Sequence, residues 1–220
     1  MPDLLPLFPL QTVLFPGMPL HLHVFEPRYR RLIRRSLEGK TPFGVALIRQ
    51  GMEANGPLPL PYPCGTEARI TEFDELPDGH MNVIALGEER FRITNLKQGM
   101  PFLVAEVERL TLEWPADFDA QRGVYALTPW LREYFDALSQ ISQDDLSLGQ
   151  FHAPTDPENL FFMAAGLLQV PPIEKQPLLE LASASDLLTA LLRLYRRELS
   201  VLKNTAKTTL DQAKKAAENN

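Results

Sequence analysis

Apolar and polar positions alternate with a period of two through residues 20–25, where Leu20, Leu22 and Val24 face one way and His21, His23 and Phe25 the other. That is the pattern of a half-buried strand. Residues 13–15 read as a second short extended segment, joined to the first through the Phe15-Pro16-Gly17 corner. A helix is predicted from Pro27, where proline's missing N–H costs nothing. Tyr29, Leu32, Ile33 and Leu37 recur along it at helical spacing, and Gly39 is read as its stop. Residues 43–48 form an unbroken apolar run, a buried strand. Residues 51–63 carry alternating prolines, which cannot supply ladder donors, and read as a loop. A meander follows, with strands over 66–73, 81–86, 90–96 and 102–110. Its turns are expected at 77–80, 87–89 and 97–101. From Trp114-Pro115 onward the period changes to that of helices, predicted over 119–140, 156–169, 173–182 and 185–202. Residues 203–220 are polar apart from Leu210 and are expected to fray.

This pattern predicts an α+β protein: a β-barrel-like sheet over residues 1–113, a helical bundle over 114–203 and a tail over 204–220. Composition is that of a globular chain, with 45% hydrophobic and 23% charged residues among 220. The net charge of -6 argues against general binding to nucleic acid, which calls for a basic surface. A single cysteine, Cys64, fits a reducing compartment. No apolar run is long enough to span a membrane, and the amino terminus lacks the basic region of a secretory signal. A cytoplasmic location is the expectation.

Several residues invite a chemical reading. Gly39-Lys40-Thr41 resembles the end of a phosphate loop, but Arg34 stands where that motif needs glycine, and the tripeptide follows a helix instead of opening one. His21 and His23 share a strand face, yet a zinc site needs three or four ligands. Cys64 has no catalytic histidine signature beside it and reads as a small packed side chain. Six cations against Glu26 and Glu38 give residues 21–40 a local excess of positive charge. Helical spacing spreads them around the helix without an aromatic platform for bases. No serine lies in a Gly-x-Ser-x-Gly elbow.

Three separated stretches carry a resemblance. The first is Leu5-Pro-Leu-Phe-Pro-Leu with Val13-Leu-Phe-Pro-Gly-Met-Pro-Leu. The second is Phe25-Glu-Pro-Arg-Tyr29 before an amphipathic helix. The third is Gly65-Thr-Glu-Ala-Arg-Ile with Leu86-Gly-Glu-Glu-Arg-Phe-Arg-Ile93. In this order they resemble the amino-terminal, substrate-recruiting domain of the ATP-dependent Lon proteases (peptidase S16-like), over roughly residues 5 to 200. The resemblance implies a PUA-like barrel followed by a helical bundle. It further implies binding of unfolded polypeptide or a specific protein partner, in protein quality control or the regulation of proteolysis. A recognition module without its motor is expected: no Walker A ATPase, no serine–lysine protease domain, no catalytic residue, no metal and no cofactor.

Phe15, Met18, Phe25 and Tyr29 are the expected polypeptide contacts, with the 51–63 loop as a rim. Pro16, Gly17, Glu26, Pro27, Arg28, Gly65, Thr66, Gly87, Arg90 and Phe91 are read as signature residues with structural roles. The alternatives are an RNA-binding PUA-like protein and a hydrolase with an unrecognised site. Nothing in the sequence specifies an oligomeric state.

Overall fold

The strand predicted at 20–25 is β2 (Pro19–Val24), and it follows a longer one, β1 (Asp3–Leu10), in a computed structural model that describes residues 3–54, 56–97, 101–141 and 154–218. Then come α1 (Pro27–Gly39), β3 (Phe43–Gln50), β4 (Leu60–Glu75), β5 (Met81–Lys97) and β6 (Leu103–Leu110). The helices α2 (Ala120–Ile141), α3 (Pro157–Leu167), α4 (Pro172–Glu180) and α5 (Ala184–Glu218) complete the order. The class is α+β, as expected. The chain divides into two compact units. One comprises Met1–Glu113 with Ala165–Ala182, the other Trp114–Ala164 with Ser183–Asn220. The helical stretch 114–203, expected as one domain, is therefore shared between them.

In the first unit the strands close on themselves. β5, β4, β3, β1 and β6 are neighbours in that order, and β6 returns to β5. All pairings are antiparallel except β1 with β3. Closure removes the edges of these five strands. β2 stands outside the ring and, among the described residues, pairs with residues 81–86 of β5 alone. Leu5, Leu7, Ala46, Phe91, Leu103 and Ala105 make one core cluster. Phe8, Phe43, Val45 and Met81 form another with Tyr29, Leu32 and Ile33 of α1.

Four local expectations are corrected. Residues 13–15 are not a strand: the Leu14 carbonyl accepts the Thr66 hydroxyl at 2.6 Å instead of a ladder partner. The proline-rich loop is shorter than predicted, because β4 begins at Leu60. Pro61 pairs with β3 only, Pro63 lies in the irregularity between the Ala46–Gly65 and Ile48–Pro61 pairs, and β5 joins from Cys64, so the β5 side needs no N–H from either proline. Residues 87–89 are not a turn, because β5 runs through them. Gly87 is there for close approach: a Cβ on it would lie 2.4 Å from the Phe15 carbonyl oxygen. Finally, α1 stops at Gly39, but the left-handed position expected of a glycine falls on the next residue. Lys40 takes the left-handed conformation (φ 50°), and the Thr41 N–H reaches back to the Ser36 carbonyl at 3.1 Å. This cap is also what Gly39-Lys40-Thr41 is for. The turn expected at 97–101 has residues 98–100 outside the described ones.

In the second unit, Asp119 and Asp156 cap α2 and α3, accepting the N–H groups of Arg122 and Asn159. Tyr195 on α5 stands edge-on to Tyr134 on α2 at 5.2 Å and donates its hydroxyl to the Ala164 carbonyl at 2.7 Å. α5 continues to Glu218, through the segment expected to fray. Among the described residues no helix is long and apolar enough to cross a membrane.

Candidate functional site

The alternation in β2 sends Leu20, Leu22 and Val24 into the core and leaves His21, His23 and Phe25 in solvent. Phe25 is 42% exposed. Directly after it the chain turns into α1, with Glu26 as its extended N-cap and Pro27 in the first turn. Arg28 holds this corner together. Its guanidinium pairs with Glu26 at 2.9 Å, donates to the Gly56 carbonyl at 3.0 Å and lies over the Tyr29 ring. The 51–59 loop is thereby fastened beside the helix start. Glu53 on that loop accepts the Gln11 N–H at 2.7 Å, and Met52 next to it is exposed.

From the other side comes the β4–β5 turn, whose Gly79 (φ 77°) passes its carbonyl to Arg30 at 2.9 Å. The turn sets His80 edge-on to His23 with ring centroids 5.3 Å apart, and Phe25 lies 6.2 Å from His80. His23 Nδ1 is 2.9 Å from Asn82 Oδ1. Between Phe25, Val24, Glu26 and the loop residues Glu53 and Ala54 lies a small cleft, with Phe8 and Tyr29 in its wall. The Tyr29 ring stacks on Phe8 at 4.1 Å, and its hydroxyl is buried without a partner among the described residues. Burial, with Glu26 and Glu53 nearby, pushes this phenol up to about 12 against the pull of Arg28, so it remains a hydrogen-bond donor. The result is a shallow aromatic and imidazole surface with one phenol in the wall of its cleft. Among the described residues, no three His, Cys, Asp or Glu side chains gather to hold a metal ion.

Of the four expected contacts, the structure places only Phe25 on this surface. Phe15 is fully buried, because the Phe15–Met18 turn folds its ring inward; Pro16 and Gly17 (φ 74°) sit centrally, and the Met18 N–H returns to the Phe15 carbonyl at 3.1 Å. Met18 is half-buried and packs against Gly166. Tyr29 is 2% exposed and belongs to the core. His23, His80 and Glu53 were missed as members of the surface. The strand alternation held a signal for it, since Phe25 is the one large apolar side chain in the outward phase of β2. The arginines of α1 diverge: Arg28 goes to the 51–59 loop, Arg30 to Gly79, and Arg34 to Glu75 at 2.6 Å. Arg28 thus braces the 51–59 loop, while Arg30 and Arg34 both brace the β4–β5 hairpin.

The remaining signature residues fix the barrel and α4. The Gly65 backbone passes so close to β3 that a Cβ would lie 2.3 Å from the Val45 carbonyl oxygen. Phe91 fills the space beside it. Buried Arg90 donates to the carbonyls of Leu179 and Leu181 at 2.8 and 2.6 Å, at the carboxy-terminal end of α4. Gln176 donates to the Cys64 carbonyl at 3.1 Å. Burial, with some help from Glu180, pushes the Cys64 thiol from 9.0 up to about 12. The Tyr29 and Tyr195 phenols are raised too. Each of these groups holds its proton in the folded state to higher pH than in the unfolded chain. Their contribution to stability is complete below about pH 9 and is lost as pH climbs above it. Lys175, lowered by burial, works in the opposite sense but stands alone. The melting temperature is expected to fall progressively above about pH 9. At pH 8 a thiol reagent should leave Cys64 unmodified until the protein is unfolded. Rapid labelling of the native protein would contradict this burial.

Comparison with known proteins converges on one family. The model of the ATP-dependent protease La (LON) substrate-binding domain matches residues 4–197. Lon protease 2 of Myxococcus xanthus is 27% identical over 204 residues, covering 92% of this chain and 24% of that protein. Lon protease 1 of Hydrogenovibrio crunogenus is 24% identical over 193 residues, covering 88% and 23%. The chain thus spans about a quarter of the length of these curated relatives. Among solved structures, a Lon N-terminal domain protein from Xanthomonas campestris superposes with a TM-score of 0.62 at 30% identity, covering 87% of this chain and 98% of that one. The N-terminal domain of a Mycobacterium avium complex Lon protease shares the fold, with a TM-score of 0.63 at 18% identity, covering 88% and 98%.

Proposed function

The chain belongs to the Lon substrate-binding domain family, and on that premise we propose that it is a non-catalytic module recognising non-native polypeptide through the surface centred on Phe25. The observation that carries this reading is the exposed Phe25 ring beside His23, His80 and a cleft walled by Tyr29, all on braced backbone. An aromatic surface of this kind takes apolar side chains of many shapes, which suits a ligand class defined by being unfolded. Its place in the cell is then protein quality control or the regulation of proteolysis, in the cytoplasm. The partner is an unfolded chain, or a specific protein offering an extended segment.

The test is fluorescence anisotropy of a labelled, permanently unfolded polypeptide, with its native form as control. Saturable binding of the unfolded form alone, nearly independent of salt, is the expected result. No binding up to about 100 μM, weaker than about -5.5 kcal/mol, would overturn the reading. Preference for RNA with a steep salt dependence would replace it.

A further inference from the structure

Among the described residues β2 has one strand neighbour, and its register tells which backbone groups are left over. Gly87 donates its N–H to the Met18 carbonyl at 2.9 Å, and pairing then runs Pro19 to Leu86 through Val24 to Met81. In an antiparallel ladder the hydrogen-bonded pairs alternate. Leu20, Leu22 and Val24 therefore bond to β5, while Pro19, His21 and His23 turn their backbone groups away from it. The proline at position 19 fits this phase, since a residue there needs no N–H toward β5. Pro19, His21, His23 and Phe25 are all exposed, and among the described residues no protein group bonds to the outward N–H and C=O groups of His21 and His23. The free edge runs directly into the Phe25 cleft, whose lining includes His23, Val24 and the 51–59 loop but no residue of β5. The cleft thus opens on the unpaired side. Tyr29 lines the same cleft, its hydroxyl buried and, among the described residues, without a hydrogen-bond partner.

We infer that the bound polypeptide adds to this edge as an extended strand, pairing its main chain with His21 and His23 and laying one carbonyl or small side chain into the cleft beside Phe25. This rests on the reading of the protein as a polypeptide-recognition module and supplies its mode. Donors and acceptors repeating every second residue along an extended edge match another extended backbone. Such pairing is blind to sequence and selective for chains whose backbone is not already paired. It explains how a short surface can serve many ligands, while Pro19 and the brevity of β2 limit pairing between copies of the protein itself.

Two variants and one altered ligand test it. His21→Pro and His23→Pro remove outward N–H groups that β5 does not use, so the fold should persist by circular dichroism and melting. The probe is a labelled, unstructured, valine- and threonine-rich peptide of about ten residues, alongside the same peptide N-methylated at alternate positions. The expected results are at least tenfold weaker binding by either variant and at least tenfold weaker binding of the methylated peptide to the unaltered protein. The methylated ligand decides the matter even if a proline variant fails to fold. Equal binding of the two peptides would overturn strand addition and leave side-chain recognition standing. No binding of any unfolded chain by the unaltered protein would overturn both.

Discussion

Arg90→Ala is expected to destabilise the barrel-containing unit by about 3 to 5 kcal/mol, measured by urea unfolding at neutral pH. Arg90 is 2% exposed, and its guanidinium reaches the carbonyls of Leu179 and Leu181 where α4 ends. The last carbonyls of a helix have no partners within it and carry the negative end of its dipole, so a fixed cation is well matched there. Removing the side chain leaves the buried Leu179 carbonyl without its strong donor and opens a cavity of arginine size beneath it. The neighbouring bond from Gln176 to the Cys64 carbonyl has to hold α4 with less support. Arg90→Lys should recover part of the loss, since the charge stays but the rigid planar fork does not. A cost below about 1 kcal/mol for Arg90→Ala would mean that water replaces these bonds freely and that α4 docks by its apolar side chains alone.

Phe91→Ala is expected to cost a similar amount, about 3 to 5 kcal/mol, by deleting a fully buried ring. The ring is the counterpart of two glycines on neighbouring strands. A Cβ on Gly44 would lie 2.9 Å from Phe91 Cζ and 2.7 Å from the side chains of Leu5 and Leu7. On Gly65 it would lie 2.6 Å from the same Cζ but also 2.3 Å from the Val45 carbonyl oxygen. The two glycines should therefore behave differently in combination. Gly44→Ala meets only side-chain ends, so in the Phe91→Ala background its methyl partly refills the hole. The pair should then be less destabilised than the sum of the single changes by about 1 kcal/mol or more. Gly65→Ala remains blocked by main chain whatever stands at position 91, and its cost of about 3 kcal/mol should persist. Simple additivity for Gly44 with Phe91 would contradict the packing described.

These residues show what could and could not be read from the chain. The helix from Pro27, the strand at 20–25 and the change to helices after Trp114 were legible because each rests on a local period or a cap. The family was legible because its marks are ordered along the chain. Gly87 was misread because a glycine followed by Glu88 and Glu89 looks the same whether it makes a turn or admits another backbone. Only the position of the Phe15 carbonyl separates the two. The proline-rich start of β4 was hidden for a related reason, since prolines are excluded from a strand only where both sides are paired. At the site, Phe15 and Tyr29 were expected outside because they belong to the signature, yet the signature marks what builds the corner. The surface itself is drawn from three distant segments, with Phe25, Glu53 and His80 brought together by arginine bonds to loop carbonyls. No spacing rule along one chain reports such a meeting.

The central claim, recognition of non-native polypeptide through Phe25, is tested most directly by titrating one labelled unfolded polypeptide with the unaltered protein and with Phe25→Ser. Phe25 is exposed, so the variant should fold with its stability changed by less than about 1 kcal/mol. A fall in affinity of about tenfold or more, equivalent to about 1.4 kcal/mol, at unchanged melting temperature is what the account predicts. Identical binding curves for the two proteins would contradict it.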